Sequence, residues 1–292
     1  MLKYYFDVIN FIEFILNIFI FIFSYSKNLF FKAIKIKDSG AIHVLGNGPS
    51  LKNDQADFLL MLNETKQDKV IVVNSFATDP LFERLKPSYY VFVDSAYFKV
   101  PKLNKIKVLQ ENVSNSLIDK TNWPLNLLVP ISSKNSKFLL KICGNKNINI
   151  CYFKNLPIIG GYKSVNNILF QFFGANPLFQ NVLITAIFQC IKIGFSKIYV
   201  WGADHNWHED YLLGKDNVLY TLDKHFYSKT HKKIIHCSED GIPTRVHEEF
   251  ATLSRAFKIY HSLEFFAKKL NCKIINLSST TWIDAFDRDN SK

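Results

Sequence analysis

The sequence predicts an α/β protein with a Rossmann-like, mostly parallel sheet flanked by helices and an N-terminal hydrophobic helix. Three observations carry that expectation. Short strand-like runs rich in Ile and Val alternate with helix-like segments, as βαβ units require. The first run, Ala41-Ile42-His43-Val44-Leu45, passes straight into Gly46-Asn47-Gly48-Pro49-Ser50-Leu51. Three runs end in a polar residue: Val73 in Asn74, Val93 in Asp94, and Val200 through Gly202 in Asp204.

The chain opens with an apolar segment over residues 1–37. Phe14 to Tyr25 reads FILNIFIFIFSY, and the only charges from Tyr4 to Phe31 are Asp7, Glu13 and Lys27. Asp7, Asn10, Glu13 and Asn17 recur every three or four residues, which draws a polar stripe down a helix. The strictly uncharged stretch 14–26 falls short of the roughly 20 residues a spanning helix prefers. Lys32, Lys35 and Lys37 follow, and no small-residue cleavage site is evident. The expectation is an uncleaved membrane-associated helix, interfacial or marginally spanning. The alternative is a helix packed on the domain itself or on a second copy.

Residues 38–292 are expected to form one Rossmann-like catalytic domain. After the glycine turn come a helix over 52–67 and a strand over 69–73. A strand follows at 89–93, then short strands at 105–109 and 125–130, and a short helix over 137–143. Residues 145–180 are Asn- and aromatic-rich, contain Gly160-Gly161, and read as an irregular insertion. A helix over 181–193 and a strand over 197–201 come next. A second irregular insertion over 212–245 precedes a helix over 248–270 and a last strand over 273–277.

With 292 residues and 48% apolar content, the chain is long enough for a large core, and 27 Phe and 13 Tyr make that core unusually aromatic. The net charge is +11, of which residues 1–37 supply +3. A basic surface suits anionic membranes, sugars or nucleotides. Nucleic acid is not an expected partner, because no DNA- or RNA-binding signature occurs. Five cysteines without a CxxC pair read as reduced thiols.

Strand, glycine turn and helix start form the arrangement by which α/β proteins offer bare N–H groups to phosphate. Gly46, Asn47, Gly48, Pro49 and Ser50, with Asn74, are therefore the expected nucleotide-binding residues. The motif is neither GxGxxG nor a P-loop. Ligands of open parallel sheets bind at the carboxyl ends of the strands, so Asn47, Asn74, Asp94 and Asp204 are expected to converge. The densest polar cluster is Ala203-Asp204-His205-Asn206-Trp207-His208-Glu209-Asp210. It reads as a catalytic or sugar-binding loop with Trp207 as a stacking platform, ahead of a metal site. The expected catalytic residues are His247, Asp204, Asp94 and His205, with His247 first choice as proton acceptor. His225, His231, His236 and Arg245 lie in the same polar stretch. Ser278-Ser279-Thr280-Thr281 is a further source of hydroxyls.

The Leu45–Leu51 turn, the strand ending in Asn74, and Lys86-Pro87-Ser88-Tyr89-Tyr90-Val91-Phe92-Val93-Asp94 resemble the MptE-like (DUF115) group of Rossmann-type proteins. The first two elements, and Thr185 to Asp204 with its Gly-Ala-Asp strand end, are similar to bacterial sialyltransferases that use CMP-sialic acid. The likeness spans roughly residues 41–100 and 181–210. The first resemblance implies pyrophosphoryl transfer from ATP to a hydroxymethylpterin. The second implies metal-independent glycosyl transfer, with the nucleotide against the glycine turn and Asn74. Those sialyltransferases carry Asn where this chain has Asp94, and their histidine lies closer to the final helix than His247. The hydrophobic N-terminus favours the second. The expected activity is glycosyl transfer from a nucleotide-sugar co-substrate to a surface-glycan or lipid-linked acceptor. No tightly bound cofactor and no metal are expected, and the expected place is the cytoplasmic face of the bacterial inner membrane. The alternatives are an ATP- and Mg-dependent phosphotransferase, with Asp94 and Asp204 holding Mg²⁺, and a non-catalytic nucleotide- or glycan-binding protein.

Overall fold

The computed structural model describes residues 2–28, 36–101, 103–223, 232–237 and 241–289. Helix α1 (Leu2–Asn28) leads into β1 (Ala41–Leu45), α2 (Ser50–Thr65), β2 (Lys69–Val73), α3 (Leu81–Leu85) and β3 (Tyr89–Val91). Then come α4 (Asn104–Lys120), β4 (Leu125–Pro130), α5 (Lys137–Ile142) and β5 (Ile148–Phe153). A short passage of β6 (Pro157–Ile158), α6 (Lys163–Phe172) and β7 (Asn176–Pro177) leads to α7 (Val182–Ile193) and β8 (Lys197–Trp201). Strands β9 (Tyr211–Leu213), β10 (Leu219–Asp223) and β11 (Lys232–Ile235) precede α8 (Val246–Lys269), β12 (Lys273–Asn276) and β13 (Asp287–Arg288).

Eight strands make one sheet in the order β13-β12-β8-β1-β2-β3-β4-β5, with every pairing parallel. The chain winds outward from β1 to β5, then returns to β8 on the other side of β1. The strand order therefore reverses between β1 and β8, where Leu45 lies opposite Trp201.

The strands read as near-continuous apolar runs because both faces are covered. Alternate residues feed two cores. Ile42, Val44, Ile71 and Val73 face a cluster shared with α6, α7 and α8. Leu45, Val70 and Val72 face one shared with α2, α4 and α5, through Phe58, Val113 and Phe138. Helix α7 is apolar almost all round because it lies between β1, β2, β3 and α8. His43 is the polar exception in β1. Its ring is fully buried and stacks on Tyr199, and Nδ1 accepts Trp201 Nε1–H at 3.1 Å.

Several expected elements differ. Residues 105–109 open helix α4 instead of forming a strand. Their alternation is too short to outweigh the helical stripe that buries Val113 and Leu117. The segment 145–180 is not irregular: it supplies the edge strand β5 and helix α6. Within 212–245, β10 pairs antiparallel with β9 and β11 in a small separate sheet. His225 and His231 lie outside the described residues. All five cysteines are free thiols. Among the described residues no helix is long and apolar enough to cross a membrane, so the spanning alternative for α1 finds no support.

Candidate active site

The turns after β1 and β8 meet at the strand-order reversal, and the way they meet explains the glycines. A Cβ on Gly46 would lie 2.4 Å from the Gly202 carbonyl oxygen, and one on Gly48 would lie 1.8 Å from Asp204 Oδ2. Gly46 N–H donates to the Trp201 carbonyl at 2.8 Å and Gly48 N–H to the Gly202 carbonyl at 2.9 Å. The glycines let two backbones close on each other, which no side chain permits.

The turn expected to cradle phosphate over residues 46–50 is thus packed against the β8 turn, and the start of α2 behind it is not open. Ser50 does not cap α2; it is the first residue of the helix, after Pro49. Asp204 fills the capping role from 154 positions away, accepting Ser50 N–H at 3.1 Å and Ser50 Oγ–H at 2.8 Å. A carboxylate thus already occupies the positive end of the α2 dipole. Burial pushes the Asp204 carboxyl above its usual range, and the two Ser50 hydrogen bonds oppose that rise.

A cleft of about 770 Å³ opens at this point. Gly46, Asn47, Gly48, Pro49 and Asn74 line it from one side of the sheet, and Asp94 from the end of β3. Gly202, Asp204, His205, Asn206, Trp207 and Asp210 line it from the β8 turn. Asn155, Gln180 and Asn181 add three more amides, and Phe179 an aromatic ring. Ser50 is buried beneath the wall. No lysine or arginine is among the described residues that line the cleft. The convergence expected of Asn47, Asn74, Asp94 and Asp204 is present.

Asn74 adopts a left-handed backbone (φ 52°), and its side-chain Oδ1 is buried without a partner. Asn tolerates that conformation better than most residues, but such strain concentrates where ligands bind. Asp94 Oδ1 accepts Ala96 N–H at 2.8 Å in an exposed turn, so one carboxylate oxygen has a fixed role and the side chain is oriented.

His205 also has a left-handed backbone (φ 55°) and is buried. Its Nε2 lies 2.6 Å from Tyr260 Oη, and Tyr260 Oη–H donates to Asn181 Oδ1 at 3.1 Å. Asn181 Oδ1 also accepts Ile184 N–H at 3.0 Å and so caps α7. Burial pushes the His205 ring down to about 3, leaving it neutral through the physiological range. Trp207 leans over it with ring centroids 4.3 Å apart and remains 40% exposed, available to a planar or sugar ligand.

The other candidates lie elsewhere. His247 is exposed on the first turn of α8 and does not line the cleft, contrary to its expected role as proton acceptor. Arg245 sits at the α8 N-cap, where its backbone N–H donates to Glu248. His236 bridges Thr221 and Glu249. His208 stands edge-on to Trp282, and Glu209 accepts from Asn206 and Trp282. Ser278 and Thr281 brace the backbone of Ala203 from behind. Among the described residues no group of three or more His, Cys, Asp and Glu side chains converges as a metal-ligand set. Asn155, Gln180, Asn181 and Tyr260 are contributors the sequence reading missed. The one signal available for them is Asn181 directly ahead of an apolar helical run, the place of a cap.

Fold and cleft define an open, doubly wound α/β protein with a polar cleft at the switch point of the sheet, where such folds place ligands. No family model matches the chain, and no curated protein does. Among solved structures, the chain is similar to a MAf glycosyltransferase from Magnetospirillum magneticum AMB-1 at a TM-score of 0.48 and 10% identity. That match covers 89% of this chain and 35% of the other, so the chain spans about a third of that protein's length.

Proposed function

We propose that the protein is a glycosyltransferase that binds a nucleotide-activated sugar in the switch-point cleft and passes the sugar to an acceptor hydroxyl. The observation that carries this reading is the composition of the cleft wall. Six amide side chains (Asn47, Asn74, Asn155, Gln180, Asn181, Asn206), three carboxylates and Trp207 surround a polar space without a described cation. Amides and carboxylates match the paired donors and acceptors of sugar and ribose hydroxyls, and Trp207 offers a face for a base or pyranose ring.

Asn74 presents an unpaired oxygen to a ligand N–H or O–H, which removes the cost of leaving it buried and alone. The donor phosphate meets the start of α7, where Val182 and Leu183 line the cleft, because Asp204 already occupies the start of α2. Asp94 accepts the acceptor proton. The acceptor oxygen bonds to the anomeric carbon, the bond from that carbon to the phosphate oxygen breaks, and the nucleotide leaves with the electron pair. His205, neutral and tied to Tyr260, positions the wall and does not exchange the proton. The Mg-dependent phosphotransfer reading would need Asp204 as a ligand, and Ser50 holds that carboxylate.

The test is a thermal-shift panel of CMP-, UDP- and GDP-sugars and ATP, with and without Mg²⁺, followed by a transfer assay on the best donor. A nucleotide sugar should raise the melting temperature without Mg²⁺. Asp94→Asn should keep that shift while slowing transfer about a hundredfold or more. Stabilisation by ATP with Mg²⁺ alone would contradict the reading.

A further inference from the structure

Helix α1 is amphipathic the wrong way round. Its polar stripe faces the protein: Asn17 is buried, donating from Nδ2 to the Gly160 carbonyl at 2.8 Å and accepting Ile159 N–H at 3.0 Å. Glu13 accepts Gly161 N–H at 2.9 Å and pairs with Lys258 Nζ at 2.7 Å, and Lys258 also reaches Asn10. The Gly160-Gly161 pair explains the closeness, since a Cβ on Gly160 would lie 2.3 Å from Glu13 Oε2. The apolar side points out. Val8, Phe11, Ile12, Ile15, Leu16, Ile18, Phe19 and Ile22 are all exposed, at the spacing of one helical face. No polar residue interrupts that face between Val8 and Ile22. Helix α6 runs alongside, with Phe14 against Tyr162 and Phe21 against Phe173, and adds exposed Ile168 and Phe172.

We propose that the outward face of α1, extended by Ile168 and Phe172 of α6, is an in-plane docking surface for an anionic lipid bilayer. A contiguous apolar surface of this kind calls for a cover. The polar stripe fixes how the helix lies: Glu13 and Asn17 hold it against the loop at 159–161 and Asn10 against Lys258 of α8, so it rests flat on the bilayer. Charge selects the occupant. Lys27 near the end of α1 is followed in sequence by Lys32, Lys35 and Lys37 with no acidic residue among them, and the whole chain carries +11. A second copy with that charge is repelled, whereas an anionic leaflet attracts it. The face also lacks the hydrogen-bonding side chains that subunit interfaces carry. Docking brings lipid next to the cleft, because Pro157, two residues before Ile159, lines its wall. The docking stands whether or not the cleft transfers a sugar.

The experiment is co-sedimentation of the full chain with vesicles of phosphatidylcholine containing about a third phosphatidylglycerol, beside pure phosphatidylcholine vesicles. The wild type should pellet with the mixed vesicles and several-fold less with the neutral ones. The triple variant Phe11→Glu, Ile15→Glu, Phe19→Glu changes only exposed positions and should melt at the wild-type temperature while binding about tenfold more weakly. Equal pelleting of both proteins, or none by the wild type, overturns the proposal. So does a wild-type dimer that the triple variant dissolves while neither protein binds vesicles, since the face would then belong to a second copy. Should the triple variant fail to fold, Phe19→Glu alone, with Phe172→Glu as its neighbour on α6, carries the same comparison.

Discussion

Two helices begin at the cleft, and they begin differently. Helix α2 starts beneath the glycine turn, and its first amide and hydroxyl are held by the Asp204 carboxylate. Helix α7 starts with a neutral cap, Asn181, and its first residues line the open space. One N-terminus is closed by an internal anion and the other opens on the cleft. A glycine turn before a helix therefore does not by itself make a phosphate site. A carboxylate that reaches back from a neighbouring strand turns the same motif into a structural joint, and leaves the start of α7 as the free helix N-terminus on the cleft.

The most severe way to break the α2 side is Gly48→Ala. Its Cβ would collide with Asp204 and with the Gly202 carbonyl, so the two turns must separate. A loss of about 3 kcal/mol or more, or an insoluble product, is expected in denaturant melts. Asp204→Ala comes next: Ser50 N–H and Oγ–H lose their acceptor, at about 2 kcal/mol. With the carboxylate gone the α2 start is open to anions, so inorganic phosphate should stabilise the variant more than the wild type in thermal shift. Equal shifts would mean that Asp204 does not guard the helix.

On the α7 side, Asn181→Ala removes both the cap and the partner of Tyr260, costing about 1 to 2 kcal/mol and weakening donor binding. The His205 ring on the same wall adds a pH dependence. Its folded value is depressed to about 3, below the unfolded 6.5, so the unfolded chain binds more protons across that window. Stability is fully present above the unfolded value and falls as pH drops toward 3, by at most about 1.4 kcal/mol per pH unit. His205→Asn, which accepts the left-handed backbone, should flatten that slope in melts between pH 6.5 and 4.

The sheet was legible because its strands are apolar runs of fixed length, and the convergence of Asn47, Asn74, Asp94 and Asp204 followed from parallel topology. What Asp204 does there was not legible. Its bond to Ser50 joins residues 154 positions apart, and nothing local marks a carboxylate that will cap a distant helix. Position before a long helix says nothing about which way that helix turns its first residues, and His247 is exposed outside the cleft lining. In α1 the polar stripe was visible, but its inward direction depends on Gly160-Gly161, in a segment whose helix and strand were masked by Asn and Phe. Over 105–109 the four alternating residues Lys105 to Val108 look like a strand, and the helical stripe of α4 emerges only further on.

The proposed activity requires the cleft to hold an activated sugar against Asn74. Asn74→Gly deletes the amide while keeping the left-handed backbone at no steric cost. The direct measurement is the melting-temperature shift that the best nucleotide sugar gives to the wild type and to this variant. A clear shift in the wild type, lost in Asn74→Gly with the ligand-free melt nearly unchanged, is expected. An equal shift in both proteins, or no shift with any nucleotide sugar, would contradict it.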